Sequence, residues 1–282
     1  VKSLSVELPE AHIIATQMNR ELVGKKVAAA QLQNLGNYQT LGFINVYLSD
    51  FQRLCGGAVE FVVSRGNTIR VKLDNGLNLI VTPEYGGFIL FQREGTAVPA
   101  KWHLKVEFSD SSTLSVTLTG MGIIKALTDE ELKESYIYQR DFSGTASPLE
   151  AEFTFEHFAA DLAAKTVNLK AALVGKNAVV VGLSNSAFQD ILYRAKLYPK
   201  RKASELTTTQ KRALFDAIKW VIAERIRLGG KTQCKDFYGK PGGYIPAMGP
   251  NMKGQHCPAC GSEVTKLSFG GGQVYLCPKC QT

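Results

Sequence analysis

Four cysteines near the C-terminal end, Cys257, Cys260, Cys277 and Cys280, constrain this chain more than any other feature. They fall in Cys-Pro-Ala-Cys and Cys-Pro-Lys-Cys, two C-x2-C turns with sixteen residues between them. Zinc takes four soft ligands in a tetrahedron, and each such turn presents two thiolates to one ion. The spacing therefore predicts a structural zinc ribbon over residues 257–282. Its central segment forms a hairpin turned at Gly270-Gly271-Gly272. A disulfide pair or a redox dithiol would use the same residues. Disulfides belong to oxidising compartments, however, and the sequence opens with no recognisable secretory signal, so the expectation is an intracellular protein, cytoplasmic, nucleoid or nuclear. Four thiolates close the coordination sphere, so the ion does no chemistry and function resides in what the ribbon is attached to.

The chain is long enough for two domains, and no apolar run is long enough to span a membrane. The net charge of +8 is unevenly placed. Residues 151–282 carry 19 Lys+Arg against 9 Asp+Glu, and residues 1–150 carry 14 against 16. A one-sided basic half points to a polyanion, nucleic acid first. Cys55 and Cys234 stand alone and are expected to be small buried apolar residues without a role.

Along the chain, Leu8-Pro9-Glu10 opens a helix that runs to Leu22, with proline in its first turn and an acidic residue at its positive end. From about residue 26 to 126 the pattern is short strands, with Asp74-Asn75-Gly76 and Asp110-Ser111-Ser112 as turns. Residues 128–135 form a short helix, and residues 140–150 a linker. Helical periodicity then predicts helices over 155–164, 167–174, 184–195 and 208–228, the last stopped by Gly229-Gly230. The fold class is α+β: a β-sandwich with a leading helix (1–139), a linker (140–150), a helical domain (151–230), a connector (231–256) and the ribbon (257–282).

That order of parts resembles the formamidopyrimidine-DNA glycosylase / endonuclease VIII family of base-excision repair enzymes. The motifs that carry the resemblance are Val6-Glu7-Leu8-Pro9-Glu10, Val180-Val181-Gly182-Leu183-Ser184-Asn185, Lys196-Leu197-Tyr198-Pro199 and the ribbon. The middle two resemble the family's helix–two-turns–helix module, in which an asparagine at the place of Asn185 contacts phosphates flanking the lesion. The residues support this independently, since a tight turn opening a helix presents unpaired N–H groups to an anion. An ordinary helix cap would use the same residues. The resemblance also implies a phosphate contact for Lys170. Lys266 and Lys279 on the ribbon add general basic contacts.

The catalytic positions depart from the pattern. The family's nucleophile is the amine of an N-terminal proline. Val6 stands at that place with five residues before it, so its nitrogen is an amide. Some relatives use the amine of an N-terminal valine, which would require processing to Val6. Glu7 matches the general acid/base at the sugar, and it also suits a plain helix-dipole role. Arg65-Gly66-Asn67 replaces an Arg-Gly-Lys segment, so Asn67 can hydrogen-bond a phosphate without charge. The intercalating loop is replaced by Thr117-Leu118-Thr119-Gly120-Met121-Gly122, in which Met121 could serve as a small wedge but is expected in the core. Tyr85 resembles the tyrosine wedge of the endonuclease VIII branch, and an ordinary strand aromatic would fit the same place. Gly272 stands where a lesion-clamping arginine is expected.

Together these features imply a monomeric protein that binds double-stranded DNA at abasic or damaged sites and holds one structural zinc, with its strand-cleaving lyase chemistry weak or lost. Two alternatives stay open. One is an active glycosylase for an unusual lesion, using another amine or a hydrolytic route through Glu7. The other is a zinc-ribbon module for RNA or protein.

Overall fold

The computed structural model describes residues 5–83, 87–144, 146–175 and 177–282. The chain divides into two compact units. Unit 1 comprises Val1–Gly144 with Ile226–Tyr244, and unit 2 comprises Thr145–Arg225 with Ile245–Thr282. This partition differs from the sequence expectation: the first part of the presumed connector folds back into unit 1.

Unit 1 begins with helix α1 (Leu8–Leu22). Glu7 is its N-cap, and Glu10 accepts from the Glu7 backbone N–H at 3.2 Å, closing a capping box. Ile14, Ala15, Met18 and Leu22 recur at helical spacing and are buried. Two four-stranded antiparallel sheets follow. One has the order β1 (Val27–Leu32), β6 (Leu104–Phe108), β7 (Thr113–Thr117), β5 (Phe88–Gln92). The other has β2 (Val59–Arg65), β3 (Thr68–Leu73), β4 (Leu77–Pro83), β8 (Gly122–Thr128). Strand β6 alternates buried and half-buried positions, as a one-sided strand must, whereas β4 is buried along its whole length. One apolar core runs from Met18 and Leu22 through both sheets to Phe237 of the returning segment. Two short helices that the strand-rich pattern did not predict, α2 (Asn37–Thr40) and α3 (Leu48–Gln52), precede β2. Helix α4 (Asp129–Glu134) carries a Thr128–Glu131 capping box. The start of the expected linker is structured: Tyr138–Phe142 forms a π-helical turn whose Asp141 is buried. Asp141 accepts from Thr68 Oγ1 at 2.5 Å.

Unit 2 is helical, with α5 (Phe155–Ala163), α6 (Leu169–Val174), α7 (Asn185–Arg194) and α8 (Thr208–Arg227), the last ending just inside unit 1. It closes with the hairpin β9 (Thr265–Phe269) and β10 (Gly272–Leu276). The tight turn falls on Gly270 and Gly271, at φ of 55° and 76°. Among the described residues no helix is long and apolar enough to cross a membrane.

Candidate functional site

In unit 2 the ribbon's four sulfurs lie within 4.8 Å of one another. The Cys260–Cys277 and Cys257–Cys280 separations are 3.4 and 3.9 Å. Metal–sulfur bonds of about 2.3 Å in a tetrahedron place sulfurs about 3.8 Å apart, so the four cysteines fit one ion. Gln281 braces the site. Its Oε1 accepts from Cys277 N at 2.9 Å, and its Nε2 donates to Leu197 O at 3.1 Å. The second C-x2-C turn is thereby tied to the turn that ends α7.

The hairpin is clasped by side chains from two helices. Lys170 Nζ donates to Phe269 O at 2.6 Å, with its ammonium 6.0 Å from the Phe269 ring centre. Lys200 lies over the same ring at 5.6 Å. Burial lowers the Lys170 pKa, because desolvation disfavours the charged amine. Asn185 Nδ2 donates to Gln273 O at 2.6 Å, while its Oδ1 is buried without a hydrogen-bond partner. Ser184 is the helix cap and Asn185 the first residue of α7. A side chain at Gly270 would bring its Cβ to 3.0 Å from Lys170 Cδ, so the close approach of hairpin to lysine depends on this glycine. Gln189 is a third clasp that the sequence pattern did not single out. Its Nε2 donates to Asn185 O at 2.8 Å, and its Oε1 accepts from Tyr275 N at 2.7 Å.

In unit 1 the start of α1 faces the returning segment. Lys231 Nζ lies 3.0 Å from Glu7 Oε2 and 2.8 Å from Ser5 O. Both side chains of the ion pair are 1% exposed. Lys231 N donates to Glu10 Oε1 at 3.1 Å. The turn that delivers Lys231 needs glycines. Gly230 sits at φ +92°, and a Cβ there would lie 3.1 Å from Glu10 Cγ. A Cβ on Gly242 would meet Gly230 O at 2.1 Å, which no side chain tolerates. The sequence pattern gave no sign of this pair, since its members are 224 residues apart.

Residues 6–119 match the formamidopyrimidine-DNA glycosylase N-terminal domain, and residues 145–236 match the formamidopyrimidine-DNA glycosylase H2TH domain. The chain belongs to the formamidopyrimidine-DNA glycosylase / endonuclease VIII family. A formamidopyrimidine-DNA glycosylase of Streptococcus pneumoniae (strain ATCC BAA-255 / R6) is 26% identical over 282 residues, covering 98% of each chain. One from Pasteurella multocida (strain Pm70) is 35% identical over 138 residues, 48% of this chain and 50% of that one. The crystal structure of the Lactococcus lactis Fpg with an abasic site containing DNA superposes with a TM-score of 0.84 at 20% identity, covering 98% of this chain and 99% of that chain.

Against the family pattern, Val6 is buried at the start of α1, 4% exposed, with Ser5 bonded ahead of it. Asn67 follows Gly66 in the β2–β3 turn. The neighbouring Arg65 donates to Phe142 O at 2.8 Å and so braces the turn. Met121 corrects its expectation: it is 50% exposed, at the tip between β7 and β8, where no core surrounds it. That tip is held from behind. Tyr38 Oη accepts from Gly120 N at 3.1 Å, and His103 Nδ1 accepts from Leu118 N at 2.9 Å. Lys266 lies exposed on β9, paired across the hairpin with Tyr275. Tyr85 falls outside the described residues. Of the two isolated cysteines, Cys234 is buried as expected, but Cys55 is exposed, just past α3.

Proposed function

We propose that this family member recognises abasic or otherwise damaged double-stranded DNA in base-excision repair, gripping the backbone through unit 2. One observation carries this reading: Asn185 and Lys170, the two residues expected at phosphates, converge on the ribbon hairpin. Each retains donor capacity. An amide nitrogen has two hydrogens and an ammonium three, and one of each is used on the hairpin. Lys200 adds charge beside them, and Lys266 adds charge further along the hairpin. The ion at Cys257, Cys260, Cys277 and Cys280 is zinc, four thiolates being its usual structural set, and it fixes the hairpin that the clasps position. The Lactococcus lactis relative's complex with abasic-site DNA supports the choice of partner.

Proline-type lyase chemistry is weak or lost. An amide nitrogen at Val6 carries no nucleophilic lone pair, Asn67 brings no charge, and Gly272 offers no side chain to a lesion phosphate.

The test is fluorescence anisotropy with two matched duplexes, one intact and one carrying a stable abasic analogue. Binding is expected to be about tenfold or more tighter to the abasic duplex, a free-energy difference of about 1.4 kcal/mol. Each lysine–phosphate contact should steepen the salt dependence by about one log unit per log unit. Equal affinity for both duplexes would contradict the reading.

A further inference from the structure

Among the described residues two lysines are buried, Lys170 and Lys231. The hairpin clasp accounts for Lys170. The proposed backbone grip does not use Lys231, yet the environment of this lysine is the more specific of the two. The peptide that leads into it is held at both edges, by Lys231 N donating to Glu10 Oε1 and by Tyr244 N donating to Gly230 O at 2.9 Å. Gly230 lets this segment approach Glu10 of α1, and Gly242 lets the returning chain pack against the Gly230 backbone. The Lys231 amine then ends between the Glu7 carboxylate and the Ser5 carbonyl. Ser5 O and Val6 N belong to one planar amide, so the amine stands within about 5 Å of the Val6 nitrogen. A carboxylate hydrogen-bonded to a primary amine can take its proton and later return it, which is the general acid–base help that imine formation needs.

We propose that Lys231 is an amine nucleophile, forming a Schiff base with the C1′ aldehyde of a ring-opened abasic sugar while Glu7 carries the proton. The ammonium gives one proton to the Glu7 carboxylate, freeing the Nζ lone pair. Nζ attacks C1′, and the carbonyl oxygen takes the proton back from Glu7. The nitrogen loses a second proton to Glu7, which passes it to the new hydroxyl. The C–O bond then breaks, water departs, and a C=N iminium remains. One ammonium and one aldehyde give one iminium and one water, with Glu7 returned to its starting state. No oxidant or metal takes part. Because Lys231 is 1% exposed, the amine must be uncovered before it reacts, so imine formation is slower than DNA binding.

The chemistry presupposes the damaged-DNA reading above, and the test separates the two. The full chain is incubated with a duplex containing a natural abasic site, reduced with borohydride, digested and mapped by mass spectrometry. Binding to the same duplex is measured in parallel. The expected adduct lies on Lys231, and Lys231→Arg, whose guanidinium is a poor imine former, lowers adduct yield by about 100-fold. A melting curve checks that this variant is folded. If it is not, the wild-type map alone decides. Binding with no adduct, or with the adduct on an α-amine or another lysine, overturns the Lys231 proposal alone. Absence of binding overturns the damaged-DNA reading, and the proposed substrate with it.

Discussion

Lys170 and Lys231 are both buried primary amines, and the chain surrounds them in opposite ways. Lys170 in unit 2 meets, among the described residues, a backbone carbonyl and the aromatic ring of the same residue, Phe269. Lys231 in unit 1 meets a carboxylate that is itself buried. The first arrangement holds a loop in place and leaves two ammonium hydrogens for an anion. The second couples a nucleophile to a proton acceptor. The difference teaches that burial of a lysine is not itself a signature of chemistry, and that the neighbour decides. A neutral carbonyl positions, whereas a carboxylate can exchange a proton.

The largest expected effect separates the two regions outright. Stripping the ribbon's metal with a chelator should free the hairpin, since structural zinc contributes about 10–16 kcal/mol of apparent binding energy in small zinc domains. Amide hydrogen exchange should rise across β9 and β10 and at α7, while the amides around Glu7 and Lys231 stay protected. Uniform deprotection, or none, would break the comparison.

Next come the lysines themselves. Lys231→Met leaves the buried Glu7 charge without its ammonium counterion and should destabilise the protein by about 3–5 kcal/mol in urea unfolding. Lys170→Met strands only the neutral Phe269 carbonyl, and about 1–3 kcal/mol is expected. Equal losses would mean that the carboxylate partner does not distinguish the two sites.

A smaller effect belongs to Asn185. Removing its amide in Asn185→Ala should weaken abasic-duplex binding by about tenfold, the worth of a charge-assisted contact. Stability should change by no more than about 1 kcal/mol, through the lost bond to Gln273. Unchanged affinity in the anisotropy titration would remove Asn185 from the phosphate site.

The smallest effect is a pH dependence in unit 1. His103 accepts a hydrogen bond on Nδ1, and burial lowers its pKa below the ordinary 6.5. The unfolded chain therefore takes up a proton near pH 6.5, and the folded chain only at lower pH. Stability from this group is fully present above that value and declines as pH falls through it. His103→Asn, whose Oδ1 can accept in the same place, should flatten the urea midpoint between about pH 7 and pH 5. A midpoint that is already flat in the wild-type protein would show that His103 does not titrate on unfolding.

Much of the architecture was legible because it is written locally. The C-x2-C pairs, the Leu-Pro-Glu helix start and the Asp-Asn-Gly turn each fix structure within a few residues. Asn185 could be singled out because a glycine turn and a helix start mark it, whereas Lys170 is marked only by the family resemblance. What the sequence hid is long-range. Residues 231–256 read as a Gly/Pro-rich connector, and nothing local shows that residues up to Tyr244 fold onto α1. Gln189 is an ordinary polar residue in a helix until the hairpin arrives beside it. Met121 follows a glycine in a strand-rich stretch, and only the sheet pairing puts it at an exposed tip. The Lys231–Glu7 pair combines both difficulties, since its members come from opposite ends of the chain and neither sits in a motif that names the other.

The division of labour between the two regions can be read from one experiment: borohydride trapping and equilibrium binding on the same abasic duplex, for wild type, Asn185→Ala and Lys231→Arg. Asn185→Ala should weaken binding and adduct yield together, and Lys231→Arg should lose the adduct while still shifting the duplex. Trapping by Lys231→Arg at the wild-type level would contradict that division of labour.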